Sequence, residues 1–218
     1  MMHIVIFGAT GATGRCLVEQ ALDQGYDVTA FARNPLALTL RHDRLSIVRG
    51  DVFQSATVRE AIANQDVVLC AIGGHDRLRV ALSGHPRSPG LCTIGTRNII
   101  EAMRSLGVSR LICLSAWGIG DSKGRVPVLF RNVIFPLLMK EEYEEKEAQE
   151  QLIRQSPLDW TIVRPSRLTN GPRTGAYRMQ SSLKFSWQSH ISRADVADGL
   201  LKQLTDQTFR HSCLELSC

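Results

Sequence analysis

The chain alternates between short runs of β-branched and other apolar residues and longer stretches in which apolar positions return every three or four residues. The first run, residues 3–7, meets glycines at 8, 11 and 14 and then a helical pattern through Leu17, Val18 and Ala21. Similar runs lie at 26–32, 45–49, 66–72, 110–115, 159–163 and 214–216, and each reads as a strand. Four further helices are predicted between and after them. The first is opened by Ser55 as N-cap, with Val58, Ala61 and Ile62 on its apolar face. The next carries Ile94, Ile99, Ala102, Met103 and Leu106 and ends near Gly107. A third bears the charge run 140–150 and then Leu152 and Ile153, and the last is capped by Ser192 and carries Val196, Leu200, Leu201 and Leu204. The unbroken apolar run at 66–72 suits a strand covered on both faces of a parallel sheet. Strands alternating with helices throughout predict an α/β fold in one domain over residues 1–218. The expected sheet is doubly wound and mostly parallel, with helices on both faces.

Three segments break the periodicity: 73–90, 117–139 and the irregular stretch after 165, which holds the turn signal Asn170-Gly171-Pro172 and a strand-like run at 176–178. Loops this long in a compact domain are often functional, and 73–90, 117–139 and 166–182 are read as the substrate side.

Composition narrows the classes. With 44% hydrophobic and 22% charged residues the chain is an ordinary soluble type. No apolar run reaches the roughly 18–20 residues of a membrane span; the best, 126–139, is broken by Pro127, Arg131, Asn132 and Pro136. No leader pattern precedes the first strand, so a cytoplasmic protein without a membrane partner is expected. The net charge of +5 is dispersed rather than clustered, which argues against nucleic acid as partner. The six cysteines lack paired metal-type spacing, and Cys70 and Cys113 lie inside strand runs, so reduced thiols are expected. His75 and His85 stand ten apart without further ligands at fixed spacing, and no metal site is expected.

The candidate chemistry starts at the glycines. Strand, glycine turn and helix in that order form the context of a dinucleotide-binding turn in a Rossmann-type sheet. The first glycine makes the turn, the second lets backbone approach a pyrophosphate, and the third lets helix pack on strand. The second strand ends at Arg33 with no carboxylate until Asp43. A guanidinium there accommodates a 2′-phosphate, which points to NADPH over NADH. Asp51, after the third strand, could reach an adenine amino group or cap its own turn.

Several segments together resemble the atypical short-chain dehydrogenase/reductases, in the NAD(P)H-binding, NmrA-like branch. They are Gly8-Ala9-Thr10-Gly11-Ala12-Thr13-Gly14, Gly50-Asp51-Val52, Leu114-Ser115-Ala116, the stretch Asp159-Trp160-Thr161-Ile162-Val163-Arg164-Pro165, and Ser192-Arg193-Ala194-Asp195-Val196-Ala197. Within that branch, Gly50-Asp51-Val52-Phe53-Gln54 and Thr174-Gly175-Ala176-Tyr177 resemble the biliverdin-IXβ reductase/flavin reductase group. The resemblance implies an NADPH site lined by Gly8, Thr10, Gly11, Ala12, Thr13, Gly14, Arg33, Asp51, Val52, Ala71, Ile72, Gly73 and Ser115, with Lys146, Pro165 and Ser166 completing it. Ser115 would orient nicotinamide or acceptor as the catalytic residue, and Trp117, Arg167 and Tyr177 would contact a small aromatic acceptor.

Family members of the short-chain type use a tyrosine and a lysine four residues apart. Lys146 falls at the lysine position, but Glu142 holds the tyrosine position and Tyr143 comes one residue late, about 100° around the helix. The flavin reductase group also lacks that tyrosine and is thought to rely on solvent for protonation. Arg167 falls where mammalian biliverdin-IXβ reductases carry a histidine, which favours flavin or quinone over bilin. The implied activity is NADPH-dependent hydride transfer to flavin, quinone or bilin, by a monomer or weak homodimer. The alternatives are a non-catalytic NADP(H)-sensing regulator of the NmrA type and, more weakly, an isomerase or epimerase, whose chemistry generally needs the tyrosine–lysine pair.

Overall fold

The computed structural model describes residues 1–73, 89–126, 139–186 and 188–218. His75, His85, most of the 73–90 loop and nearly all of the apolar stretch before Lys140 lie outside the described residues. The chain runs β1 (His3–Phe7), α1 (Ala12–Asp23), β2 (Asp27–Ala32), β3 (Leu45–Arg49), α2 (Ser55–Ile62), β4 (Val67–Cys70), α3 (Leu91–Leu106) and β5 (Arg110–Leu114). It continues with α4 (Lys140–Gln155), β6 (Asp159–Pro165), β7 (Arg167–Thr169), β8 (Arg178–Gln180), β9 (His190–Ser192), α5 (Arg193–Lys202) and β10 (Ser212–Ser217).

Eight strands form one sheet in the order β3-β2-β1-β4-β5-β6-β10-β8. Every neighbouring pair is parallel except β10 with β8, which is antiparallel. The chain therefore starts in mid-sheet, winds outward through β2 and β3, then returns to β4 beside β1 and winds the other way. That reversal opens a crevice at the C-terminal ends of β1 and β4, where ligands of such sheets bind.

The strand alternation sorts side chains into two cores. Ile4, Ile6, Leu69, Ile112 and Leu114 face Leu17, Val18 and Ala21 of α1 and Val196, Leu200 and Leu201 of α5. Val5, Phe7, Val68, Cys70, Leu111 and Cys113 face Val58 of α2, Ile99 and Met103 of α3 and Ile153 of α4. Each fully enclosed aliphatic or aromatic chain of this kind contributes about 1.5–3 kcal/mol over its exposed state, so the two layers hold the sheet between them. No helix among the described residues is long and apolar enough to cross a membrane.

Several expectations need correction. Gln54, not Ser55, stands at the N-cap of α2, and no side chain caps it. The Ser55 position already lies within the helix because the Asp51 turn starts it early, with Gln54 N–H donating to Asp51 O at 2.9 Å. Ile94 was expected on the buried face of α3 but is 38% exposed, its side chain lying over Gly90. The irregular stretch after 165 contains β7 and β9, paired in parallel as a separate two-stranded sheet. The strand-like run at 176–178 is displaced: β8 starts at Arg178 and pairs with β10. The Ser192 cap is as expected, its hydroxyl accepting from Asp195 N–H at 2.9 Å.

Candidate functional site

The glycine turn separates three roles. Gly8 has φ 83°, and a Cβ there would lie 2.5 Å from Ala71 O. A Cβ on Gly14 would lie 2.0 Å from Gly8 O, so glycine is what lets α1 pack on β1. Gly11 is different: it is extended, with φ −69°, and its Cβ would meet only Gly8 O, at 3.2 Å. The protein's own need for glycine is weaker there, since a shift of a few tenths of an ångström would relieve that contact, and the missing side chain also leaves space outside the turn. Gly11 is also the N-cap of α1, which has no capping side chain and no acidic residue in its first turn. The leading N–H groups of the helix, at Ala12 and Thr13, are the donors that such an end presents to an anion. Turn and helix end together fit a pyrophosphate. Thr10 lies on the same turn, its carbonyl accepting from Arg15 Nε at 3.1 Å.

Beside the turn, Arg33 is exposed immediately after β2. Arg49 ends β3 in register with Ala32, so neighbouring strand ends put two arginines at one edge of the sheet. Asp51 Oδ1 accepts from Phe53 N–H at 3.1 Å, capping its own turn. Val52 is buried, and its carbonyl accepts from Asn98 Nδ2 at 2.8 Å.

Ala71, Ile72 and Gly73 continue β4 into the crevice. Lys146, enclosed on α4, donates to Ile72 O, Leu114 O and Gln149 Oε1, each at 2.8 Å. All three ammonium protons are thus taken by protein acceptors, which tie the ends of β4 and β5 together, whereas the resemblance implies a coenzyme contact for this lysine. Burial works against this charge, but nearby sulfurs of Cys92, Cys113 and Cys70 outweigh it, and the Lys146 pKa is raised. Gly73, at φ 113°, leaves room for this lysine: a Cβ there would lie 2.7 Å from Lys146 Cε. The Tyr143 hydroxyl donates to Trp117 O at 3.1 Å, and burial pushes its pKa up.

Ser115 follows β5 and is 5% exposed. Its hydroxyl donates to Glu150 Oε1 at 2.6 Å. Glu150 is itself held by Arg164, with Nε to Oε1 at 2.9 Å and Nη2 to Oε2 at 2.6 Å. Arg164, fully buried on β6, also donates to Asp121 Oδ1, as does Arg154 at 2.7 Å. Burial would raise the Asp121 pKa, but hydrogen bonds from Arg164 and Arg154 win and hold it at about 2. The sequence reading missed this cluster, because Glu150 looked like part of a solvated charge run and Arg164 like a strand terminus.

The remaining candidates are spread out. Pro165 O accepts from Trp117 N–H at 3.1 Å, and the buried Ser166 hydroxyl donates to Ser217 Oγ at 3.0 Å. The Trp117 ring lies 4.5 Å from that of Phe185, and its buried Nε1 has no partner among the described residues. Arg167 is exposed at the start of β7. Tyr177 departs from this group: its hydroxyl donates to Asp198 on α5 and its ring lies under Lys202 Nζ at 4.7 Å. Burial, then Asp198, pushes its pKa up to about 12. Among the described residues no cluster of three or more His, Cys, Asp or Glu could hold a metal ion.

A pyrophosphate turn placed where the strand order reverses defines a doubly wound, dinucleotide-binding class of protein. The chain belongs to the NAD(P)H-binding family, whose model matches residues 8–207. It is 28% identical to an uncharacterised chloroplastic protein of Arabidopsis thaliana, over 98% of this chain and 75% of that one. It is 29% identical to a reductase of Aspergillus terreus, over 78% of this chain and 77% of that one. Its fold is that of the anaerobilin reductase ChuY from Escherichia coli O157:H7, with TM-score 0.79, 22% identity, and coverage of 99% and 96% of the two chains. The NAD(P)H-binding character that the resemblance implies is thereby borne out.

Proposed function

We propose that the protein is an NADPH-dependent reductase that transfers hydride to a planar conjugated acceptor, a flavin, quinone or bilin. The observation that carries this reading is Gly11, whose missing side chain leaves the outer face of the turn open at a helix N-terminus without a capping side chain. Arg33 supports the phosphorylated coenzyme, since it stands where an NADH-binding chain would carry a carboxylate. Bound NADPH would supply the hydride; the chain's part is to hold the dinucleotide on Gly8, Gly11 and the α1 N-terminus and to orient its reacting end. Ser115, which follows β5, would orient that end. Neither Tyr143, bonded to Trp117 O, nor Glu142 supplies the general acid of the short-chain type, which fits an acceptor protonated from solvent. Trp117 and Arg167 are the acceptor-side candidates, whereas Tyr177, engaged with α5, is not put forward. The reductase among the relatives and the anaerobilin reductase of like fold support a reductive activity.

The test is NADPH oxidation against FMN, FAD, a quinone, an azo dye and biliverdin. Turnover of any of them above background is the expected result. Tight NADPH binding without turnover of any would instead favour an NADP(H)-sensing regulator.

A further inference from the structure

Ser115 has a single hydroxyl proton, and the structure shows where it goes. Glu150, as the carboxylate of an ion pair with Arg164, can only accept, so the 2.6 Å contact has Ser115 donating. Glu150 cannot turn away, because Arg164 grips both of its oxygens from β6. Both side chains of this pair are almost wholly enclosed, at 3% and 1% exposure, so water offers the hydroxyl no competing acceptor at that point. Ser115 is held in turn by its backbone, whose N–H donates to Val163 O at 2.8 Å. With its one proton given to Glu150, the Ser115 oxygen keeps lone pairs with which it can only accept. Toward the crevice this serine is therefore an acceptor and not a donor. It is unsuited to polarising a substrate carbonyl or stabilising an oxyanion, and suited to holding an N–H.

We propose that Glu150, locked by Arg164, is a positioning residue that sets Ser115 as a hydrogen-bond acceptor for the carboxamide N–H of the nicotinamide ring. This rests on the coenzyme reading above. Ser115 would then fix the rotation of the carboxamide, and with it the ring that carries the hydride, while any proton needed by the acceptor comes from elsewhere.

The experiment compares NADPH with its 3-acetylpyridine analogue, in which a methyl group replaces the carboxamide nitrogen. Both are titrated by fluorescence into wild type, Ser115→Ala and the double variant Glu150→Met/Arg164→Met, with thermal unfolding followed for each. Removing both charges together spares the fold an unpaired buried ion. Should the double variant fail to fold, Glu150→Asp replaces it, keeping the charge against Arg164 while shortening the reach toward Ser115. Wild type is expected to bind NADPH about tenfold more tightly than the analogue, the worth of one neutral hydrogen bond. Ser115→Ala is expected to bind the two within about twofold of each other, and the Glu150 variants to lose most of the preference. Equal binding of the two by wild type, or a preference that survives Ser115→Ala, overturns the proposal. A preference lost in Ser115→Ala but intact in the folded Glu150 variants overturns the positioning role of Glu150. Wild type that binds neither NADPH nor NADH overturns the coenzyme reading itself, and this proposal with it.

Discussion

The ε-ammonium of Lys146 donates to the carbonyl of Leu114 at 2.8 Å, and a second of its protons bonds Ile72 O at the same distance. One buried cation thus closes the ends of β4 and β5 at the floor of the crevice. Lys146→Ala would leave the two carbonyls only the weak thiol donors of Cys92 and Cys113, take the donor from Gln149 Oε1 and open a cavity beside Gly73. A loss of about 3–5 kcal/mol in urea-unfolding stability is expected. Wild-type stability with a loss confined to NADPH affinity would mean that the lysine turns to the ribose instead.

The glycine turn predicts opposite behaviour at two positions three residues apart. Gly14→Ala puts a Cβ 2.0 Å from Gly8 O, and a destabilisation of about 2 kcal/mol or more is expected. Gly11→Ala meets only one atom at 3.2 Å and keeps an ordinary φ, so it should fold while weakening both NADPH and NADH by at least about tenfold. Thermal unfolding and coenzyme titration on the two variants check this. Unimpaired binding by Gly11→Ala would remove the main support for a dinucleotide site.

Coenzyme choice is expected to follow Arg33. Arg33→Ala should weaken NADPH by about 10–100-fold, the worth of a charge-assisted phosphate contact of roughly 1.5–3 kcal/mol, with little effect on NADH. Titration of both coenzymes reads the difference. An equal loss for the two would show that this side chain does not read the 2′-phosphate.

Glu145 on α4 caps a different helix. Its carboxylate accepts from Gly90, Cys92 and Thr93 N–H at 3.0, 3.1 and 3.2 Å, at the start of α3, where the N-cap residue Gly90 has no side chain to do so. Glu145→Ala is expected to cost about 1–2 kcal/mol, as loss of an N-cap does, and to speed amide exchange in the first turn of α3. Unchanged exchange at Cys92 and Thr93 would contradict that role.

Acid sensitivity is expected from Asp121. Its carboxyl is held at about 2 against an ordinary value of 3.8, so the unfolded chain binds the proton first as pH falls. The stabilisation is complete above about 4 and is lost progressively toward 2. Urea midpoints measured across that range should fall in wild type and fall less steeply in Asp121→Asn. Identical profiles for the two proteins would rule out this contribution, whose size is limited by the 58% exposure of the side chain.

The order of strand, turn and helix was readable from the chain because each signal is local. β-Branched runs, glycine spacing and the Ser192 cap are decided by residues within a turn or two of each other. Strand–helix alternation predicts the doubly wound sheet, and the observed reversal of strand order beside β1 sets the place of the crevice. Gly11 and Arg33 could be singled out for the same reason, since a turn and a strand end fix their surroundings.

The interior of the site was decided only in three dimensions. Along the chain, Glu145, Lys146 and Glu150 belong to one charge run that reads as a solvated helix face. In the fold, Glu145 caps α3, Lys146 bonds the ends of β4 and β5, and Glu150 is locked between Ser115 and Arg164. Their partners lie from 14 to 74 residues away in sequence, on elements that only the doubly wound sheet brings against α4. Local periodicity specifies which face of a helix is apolar. It carries no record of which charges on that face will meet a strand end, because a buried ion's partner is chosen by the packing of other elements around it.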